Sequence, residues 1–244
     1  MEKVLAITIT DNHFFAGTLA AVNSFIHFNP DVDVLVVVSG EYNEPLNASQ
    51  RRMLKHPRVT IKDHSCFAKE GRVLGAWQLK AYAAADNCDD YDLIIGFDSD
   101  LLFCSSVSDV IHQALKTGKF YGGRDGEGVT YGPEYSPYGI AAGSKAPYMS
   151  TSCYFCPTSS VNKKILKDWA ARTDQAIYGP QPTKVYAGHG DQGVLNACIY
   201  AETKSSNVVL LPNDTWSQHW VYEEHVVEWS GCALKNFSTG NVMR

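Results

Sequence analysis

Short, β-branched apolar runs alternate with stretches of helical spacing through the first half of the chain, and this alternation restricts the fold more than any other feature. "VLAITIT" (4–10), "DVLVVVSG" (33–40), "RVTIKD" (58–63) and "YDLIIGFDSD" (91–100) read as buried strands. Between them, "FFAGTLAAVNSFIHF" sets Phe15, Leu19, Val22 and Ile26 at helical spacing. "NASQRRMLKH" reads as a helix with Asn47 or Ser49 as its cap, and "RVLGAWQLKAYAAAD" as a third helix. Strands and helices in this order imply right-handed crossovers, hence an α/β fold with a mostly parallel sheet flanked by helices.

The second half continues with a helix, "SVSDVIHQALK", capped by Ser106 or Ser108, and a strand, "KFYGG". From Arg124 to Ser150 the chain turns to Gly, Tyr, Pro and Ser with little periodicity, and a loop of that length is more often functional than idle. Its tyrosines, Tyr131, Tyr135, Tyr138 and Tyr148, are candidates for ligand contact or a lid, with packing of the loop as the plain alternative. Later come the strand "TSCYFCP", a helix from Ser160 with Val161, Ile165, Leu166 and Trp169 on one face, "GHGDQGVLNACIYA", and the strand "NVVLLP". No interdomain linker interrupts residues 1–244, which read as a single domain, complete or as the first part of a longer chain.

Composition excludes several classes. With 21 basic against 26 acidic residues the net charge is -5, so no overall positive field attracts a nucleic acid backbone. The start "MEKVLAITIT" lacks the features of a signal peptide and no later segment reads as a membrane span, which points to the cytoplasm. Seven cysteines, an odd number, suit reduced thiols rather than a disulfide framework. Cys153 and Cys156 form a CxxC, but on a strand residues three apart face opposite ways, which argues against zinc.

The chemistry concentrates in "LIIGFDSDLLF" (93–103). Asp98 and Asp100 stand one residue apart at the end of a buried strand, the rim where ligands of open α/β sheets bind. Paired carboxylates repel unless a cation or proton is shared, and manganese or magnesium takes such oxygens together with substrate phosphates. One aspartate capping the loop while the other faces water is the plain alternative. A phosphotransferase nucleophile is a minor one, because Leu101 and Leu102 follow where that class carries a threonine.

Together, "ITITDNHFFAGTLAAVNSF", "GFDSDLLF", "FYGGRDG", "STSCYFCPTS" and "GHGDQGVLNA" resemble nucleotide-sugar glycosyltransferases of the GT-A fold. The likeness is closest to the family of glycogenin and bacterial lipopolysaccharide galactosyltransferases, and runs from about residue 4 to 237. It implies a single GT-A domain moving a hexose from a nucleotide diphosphate sugar, a uridine one foremost, to an acceptor hydroxyl with retention. Thr8, Thr10, Asp11 and Asn12 would line the base and ribose pocket, and Arg72 and Lys80 would face the diphosphate and donor sugar. Asp98 would contact ribose and metal, with Ser99 beside it in the donor site, and Asp100 would be the main metal ligand. Asp125 would hold donor-sugar hydroxyls, with Asp191 and Gln192 beneath the anomeric carbon; an inverting enzyme would make Asp191 the base.

The chain departs from the family in two places. Thr151, Ser152 and Cys153 replace an Asn-Ser-Gly, which leaves the donor sugar open. Glu228 stands where the family has its third metal ligand, a histidine, with His225 and His219 as rivals. An inactive nucleotide-sugar-binding relative and a metal-dependent nucleotidyltransferase are the competing functions.

Overall fold

The computed structural model describes residues 2–40, 45–67, 74–124, 129–178, 184–211 and 234–236. The strands are β1 (Val4–Thr10), β2 (Asp33–Val38), β3 (Val59–Asp63), β4 (Leu93–Phe97), β5 (Leu101–Phe103), β6 (Phe120–Arg124), β7 (Val129–Thr130), β8 (Lys145–Ala146), β9 (Met149–Pro157), β10 (Val208–Leu211) and β11 (Leu234–Asn236). The helices are α1 (Phe15–Phe28), α2 (Ala48–Met53), α3 (Ala76–Asn87), α4 (Ser108–Thr117), α5 (Ser160–Tyr178) and α6 (Lys184–Thr203).

A seven-stranded sheet takes the order β10-β6-β9-β4-β1-β2-β3. All neighbours pair in parallel except β9, which runs antiparallel to both β4 and β6. The alternation of each strand feeds two cores. Leu5, Ile7, Ile9 and Tyr154 face a layer with Leu79 of α3, Ile165 and Trp169 of α5 and Leu195 of α6. Ala6, Val36, Ile95 and Phe155 face the layer of Val22 and Phe25 of α1 and Ala114 of α4. Fully burying each such Leu, Ile or Phe contributes about 1.5–3 kcal/mol. Phe25 stacks on Phe97 at 5.3 Å and meets Phe103 edge-on at 4.9 Å, pinning the strands on both sides of the Asp98–Asp100 turn.

Cys153 and Cys156 lie in opposite cores, as strand alternation requires. Asn47 rather than Ser49 caps α2, its Oδ1 accepting from Ser49 N and Gln50 N. Three expectations are corrected. Neither Ser106 nor Ser108 caps α4. The residue before it is Val107, whose N–H donates to the buried Asn29 Oδ1, while the Ser106 hydroxyl accepts from Ser108 N. Val161 is 38% exposed, and the buried face of α5 runs instead through Asn162, Ile165, Leu166 and Trp169. The segment after Arg124 is not an open loop. It holds the β7–β8 hairpin and a 3-10 turn at Pro133–Tyr138, and Tyr131, Tyr135, Tyr138 and Tyr148 are all buried. Tyr131 packs on Tyr135 at 4.6 Å and on Tyr200 of α6 at 5.2 Å, which removes these rings from solvent. Among the described residues no helix is long and apolar enough to cross a membrane.

Candidate active site

The parallel strands β1, β2 and β4 end together, and antiparallel β9 begins at the same rim, where Asp98 N donates to Ser152 O at 2.8 Å. Tyr154 of β9 lies across Gly96 of β4, and a Cβ at Gly96 would come within 2.1 Å of its ring. The glycine two residues before Asp98 is therefore a packing requirement. Asp98, Ser99 and Asp100 follow, half-buried, in the turn between β4 and β5.

Lys80 of α3 enters this rim from below, with a side chain only 8% exposed. Its Nζ lies 2.6 Å from Asp98 Oδ1, 3.2 Å from Asp191 Oδ2 and 3.4 Å from the Thr151 carbonyl. The Asp191 contact is an ion pair whose angle leaves Oδ2 without a hydrogen bond. Burial alone pulls the Lys80 ammonium down, but the combined attraction of Asp191 and Asp98 outweighs it and raises it. Burial raises the Asp191 carboxyl, Lys80 opposes this, and the charge of Asp98 adds to the rise. One buried cation thus joins the two acidic motifs.

Asp191 is delivered by a break in α6. Gly190 has φ 57° and ψ -144°, a conformation that favours glycine, and it turns the helix so that the run from Asp191 starts at the rim. Trp169 Nε1 fixes the Asp191 carbonyl at 3.0 Å. Gln192 Oε1 accepts from Thr151 N at 3.1 Å. Asn196, at the end of the Asp-Gln-x-x-Leu-Asn run, is 2% exposed and clamps α6 to β9. It donates to Met149 O at 2.7 Å and to Gln192 O at 2.9 Å, and accepts from Met149 N at 2.9 Å. The sequence motif alone does not reveal the task of Asn196, and in sequence Thr151 stands only as a departure from the family pattern. Both hold Gln192 in place.

The four residues that the resemblance implies for the nucleotide pocket divide. Thr10 accepts from the Thr18 hydroxyl at 2.6 Å, and Asp11 Oδ1 accepts from Phe14 N at 2.8 Å, so both serve the turn into α1. Thr8 is buried with its hydroxyl unbonded. Asn12 is exposed at the strand end and accepts from Gln50 Nε2. Arg72, Asp125, Glu228, His219 and His225 lie outside the described residues.

The acidic pair suits a hard divalent cation. Burial first, and the charge of Asp98 second, push the Asp100 carboxyl up to about 6, and both effects are relieved by a cation. Asp98 gives one oxygen to Lys80 and keeps the other. No third His, Cys, Asp or Glu joins them among the described residues, which leaves the remaining positions to water and ligand oxygens, a common arrangement for magnesium or manganese.

Strand order and rim together define the class: this is the GT-A glycosyltransferase fold. The chain is similar in structure to the bifunctional glycosyltransferase WbbM (TM-score 0.59, 12% identity, 96% of this chain and 45% of that one). It is also similar to the galactosyltransferase LgtC, solved with donor and acceptor sugar analogues (0.56, 13%, 96% and 86%). A further likeness is to mouse xyloside xylosyltransferase 1 (0.55, 10%, 99% and 98%). The chain thus spans under half of WbbM and most of the other two. No family model and no curated protein matches the sequence, so the likeness is one of fold.

Proposed function

We propose that the chain is a metal-dependent glycosyltransferase that moves a hexose from a nucleotide diphosphate sugar, a UDP-hexose, to a hydroxyl of a glycan or similar acceptor, with retention. The observation that carries this reading is the Lys80 junction, where one buried ammonium touches Asp98 and Asp191 at the rim of a GT-A fold. The uridine donor and retention rest on the motif resemblance alone, while the fold likeness to LgtC, solved with donor and acceptor sugar analogues, supports transfer of a sugar in general.

The base and ribose would sit beside Asn12 and Thr8, with Thr10 and Asp11 building the wall through their bonds to α1. Manganese or magnesium held by Asp98 and Asp100 would supply positive charge against the leaving diphosphate. Lys80 would exchange one of its present partners for a diphosphate oxygen, and burial makes that fixed charge effective. Asp191, anchored through Trp169 and paired with Lys80, would place negative charge toward an anomeric carbon that turns cation-like as the diphosphate departs. Gln192, fixed by Thr151 N, would orient the sugar.

Arg72 toward the diphosphate, Asp125 on donor-sugar hydroxyls and Glu228 as a third metal ligand complete the proposed set. The pairing of β11 with β5, the strand directly after Asp100, supports a ligand from the C-terminal part of the chain.

The test is release of UDP from a panel of UDP-hexoses with and without manganese. Wild type should turn over only with the metal, and Asp100→Ala should lose at least about 100-fold, the scale of removing one fixed electrostatic group from an active site. An unimpaired rate in a folded Asp100→Ala variant overturns the reading.

A further inference from the structure

Tyr154 carries a hydroxyl beside the acidic junction that pairs with nothing among the described residues. Its side chain is fully buried on β9. The ring lies across Gly96, two residues before Asp98, and a Cβ at Gly96 would come within 2.7 Å of the Tyr154 hydroxyl oxygen. Trp169 meets the same ring edge-on at 5.9 Å and holds the Asp191 carbonyl through Nε1. The phenol is thus fixed between the strand that leads to Asp98 and the tryptophan that anchors Asp191. Burial first, then nearby Cys156, Asp191, Cys153 and Asp98, raise its hydroxyl well above the ordinary value, which keeps it a neutral O–H donor within electrostatic reach of both aspartates.

At this junction two groups are buried without a hydrogen bond among the described residues: the Tyr154 hydroxyl and Asp191 Oδ2, the oxygen that faces Lys80. A buried O–H left unpaired is destabilising, and a phenylalanine would fill the same space against Gly96 and Trp169 without that penalty. The hydroxyl therefore becomes useful only when a strong acceptor turns to it. Such an acceptor arises whenever Lys80 lets go of Asp191, because a buried carboxylate stripped of its cation must find another donor or take up a proton. The Tyr154 ring is held on both sides, whereas the Asp191 carboxylate can turn about its own side-chain bonds while Trp169 holds the backbone.

We propose that Tyr154 is a positioning residue for Asp191: when Lys80 leaves Asp191 for a phosphate oxygen, the Tyr154 hydroxyl becomes the hydrogen-bond donor to Asp191 Oδ2. The occasion for this exchange rests on the transferase reading; the exchange itself does not, since removing Lys80 creates the same demand.

Urea midpoints for wild type, Tyr154→Phe, Lys80→Met and the double variant test the exchange without substrate. In wild type, Tyr154→Phe should raise the midpoint or leave it, because it removes an unpaired hydroxyl. In Lys80→Met the same substitution should lower it, because it removes the donor that has taken over Asp191. An equal change in both backgrounds overturns the proposal. A second measurement keeps Lys80 in place. With carbon-13 at the tyrosine Cζ positions of the wild-type chain, and the Tyr154 signal identified by its loss in Tyr154→Phe, saturating UDP and magnesium should move that signal. A signal that stays in place while the same ligands raise the melting temperature overturns the proposal. In turnover of UDP-glucose, Tyr154→Phe should lower kcat about tenfold with KM unchanged, the pattern of a contact made only after the donor is bound. A loss confined to KM overturns it. If UDP and magnesium leave the wild-type melting temperature where it was, the transferase reading fails, and the cycle with Lys80→Met still decides on Tyr154.

Discussion

The ammonium of Lys80 and the carboxylate of Asp191 meet 3.2 Å apart, each on a side chain only 8% exposed. They come from α3 and α6, so a single ion pair ties two helices of one layer together beneath the rim. Because Asp98 shares the same ammonium at 2.6 Å, the position of the metal motif is coupled to the position of Asp191.

Removing Lys80 should therefore cost more than one contact. Lys80→Met leaves a buried carboxylate without its partner, a loss of about 3–5 kcal/mol. Lys80→Met combined with Asp191→Asn removes both charges and should be more stable than the sum of the single losses implies. Urea midpoints for the four proteins of the cycle measure this, and strict additivity would contradict a direct pairing.

Gly96→Ala should destabilise by overpacking, about 1–3 kcal/mol, because Tyr154 is fully buried and its ring cannot retreat. Tyr154→Ala in the same chain makes room and should cost less in the Gly96→Ala background than in wild type. The comparison is read from thermal melts.

Much of this arrangement was legible from sequence, and the reasons differ by element. Parallel strands buried on both faces leave unbroken apolar runs, so β1, β2 and β4 were visible, and the place of Asp98 and Asp100 followed from them. The direction of β9 was not, since "STSCYFCP" carries the same apolar pattern whether it runs with or against its neighbours. The tyrosines after Arg124 looked irregular because their partners, Tyr200 and Asn196, come from α6 far along the chain. Lys80 was found by resemblance, but helical spacing cannot say that its side chain turns inward to Asp98 and Asp191. Val161 fits the helical stripe and is still exposed, because the packed face of α5 is set by its neighbours.

The Asp100 carboxyl, pushed up to about 6, gives a signed pH dependence. Its proton is held more tightly in the folded chain than in the unfolded one, where a carboxyl titrates near ~3.9. The metal-free fold is therefore penalised by this group above about pH 6, and the penalty disappears below about pH 4. In EDTA, Asp100→Asn should melt higher than wild type at pH 7.5 and together with it near pH 4. Manganese binding needs the ionised form, so the rise in melting temperature that manganese gives wild type should shrink as pH falls below about 6. A manganese effect independent of pH between 5 and 7.5 would count against Asp100 as a ligand.

The central claim is that the diphosphate of a sugar nucleotide is held between the Asp98–Asp100 pair and Lys80. A crystal structure of the chain with UDP-glucose and manganese tests it most directly. The account predicts the ion on Asp98 and Asp100 and a phosphate oxygen within hydrogen-bonding distance of Lys80 Nζ. An ion and phosphates bound elsewhere, with Lys80 still paired to Asp98 and Asp191 as it is without ligand, would contradict it.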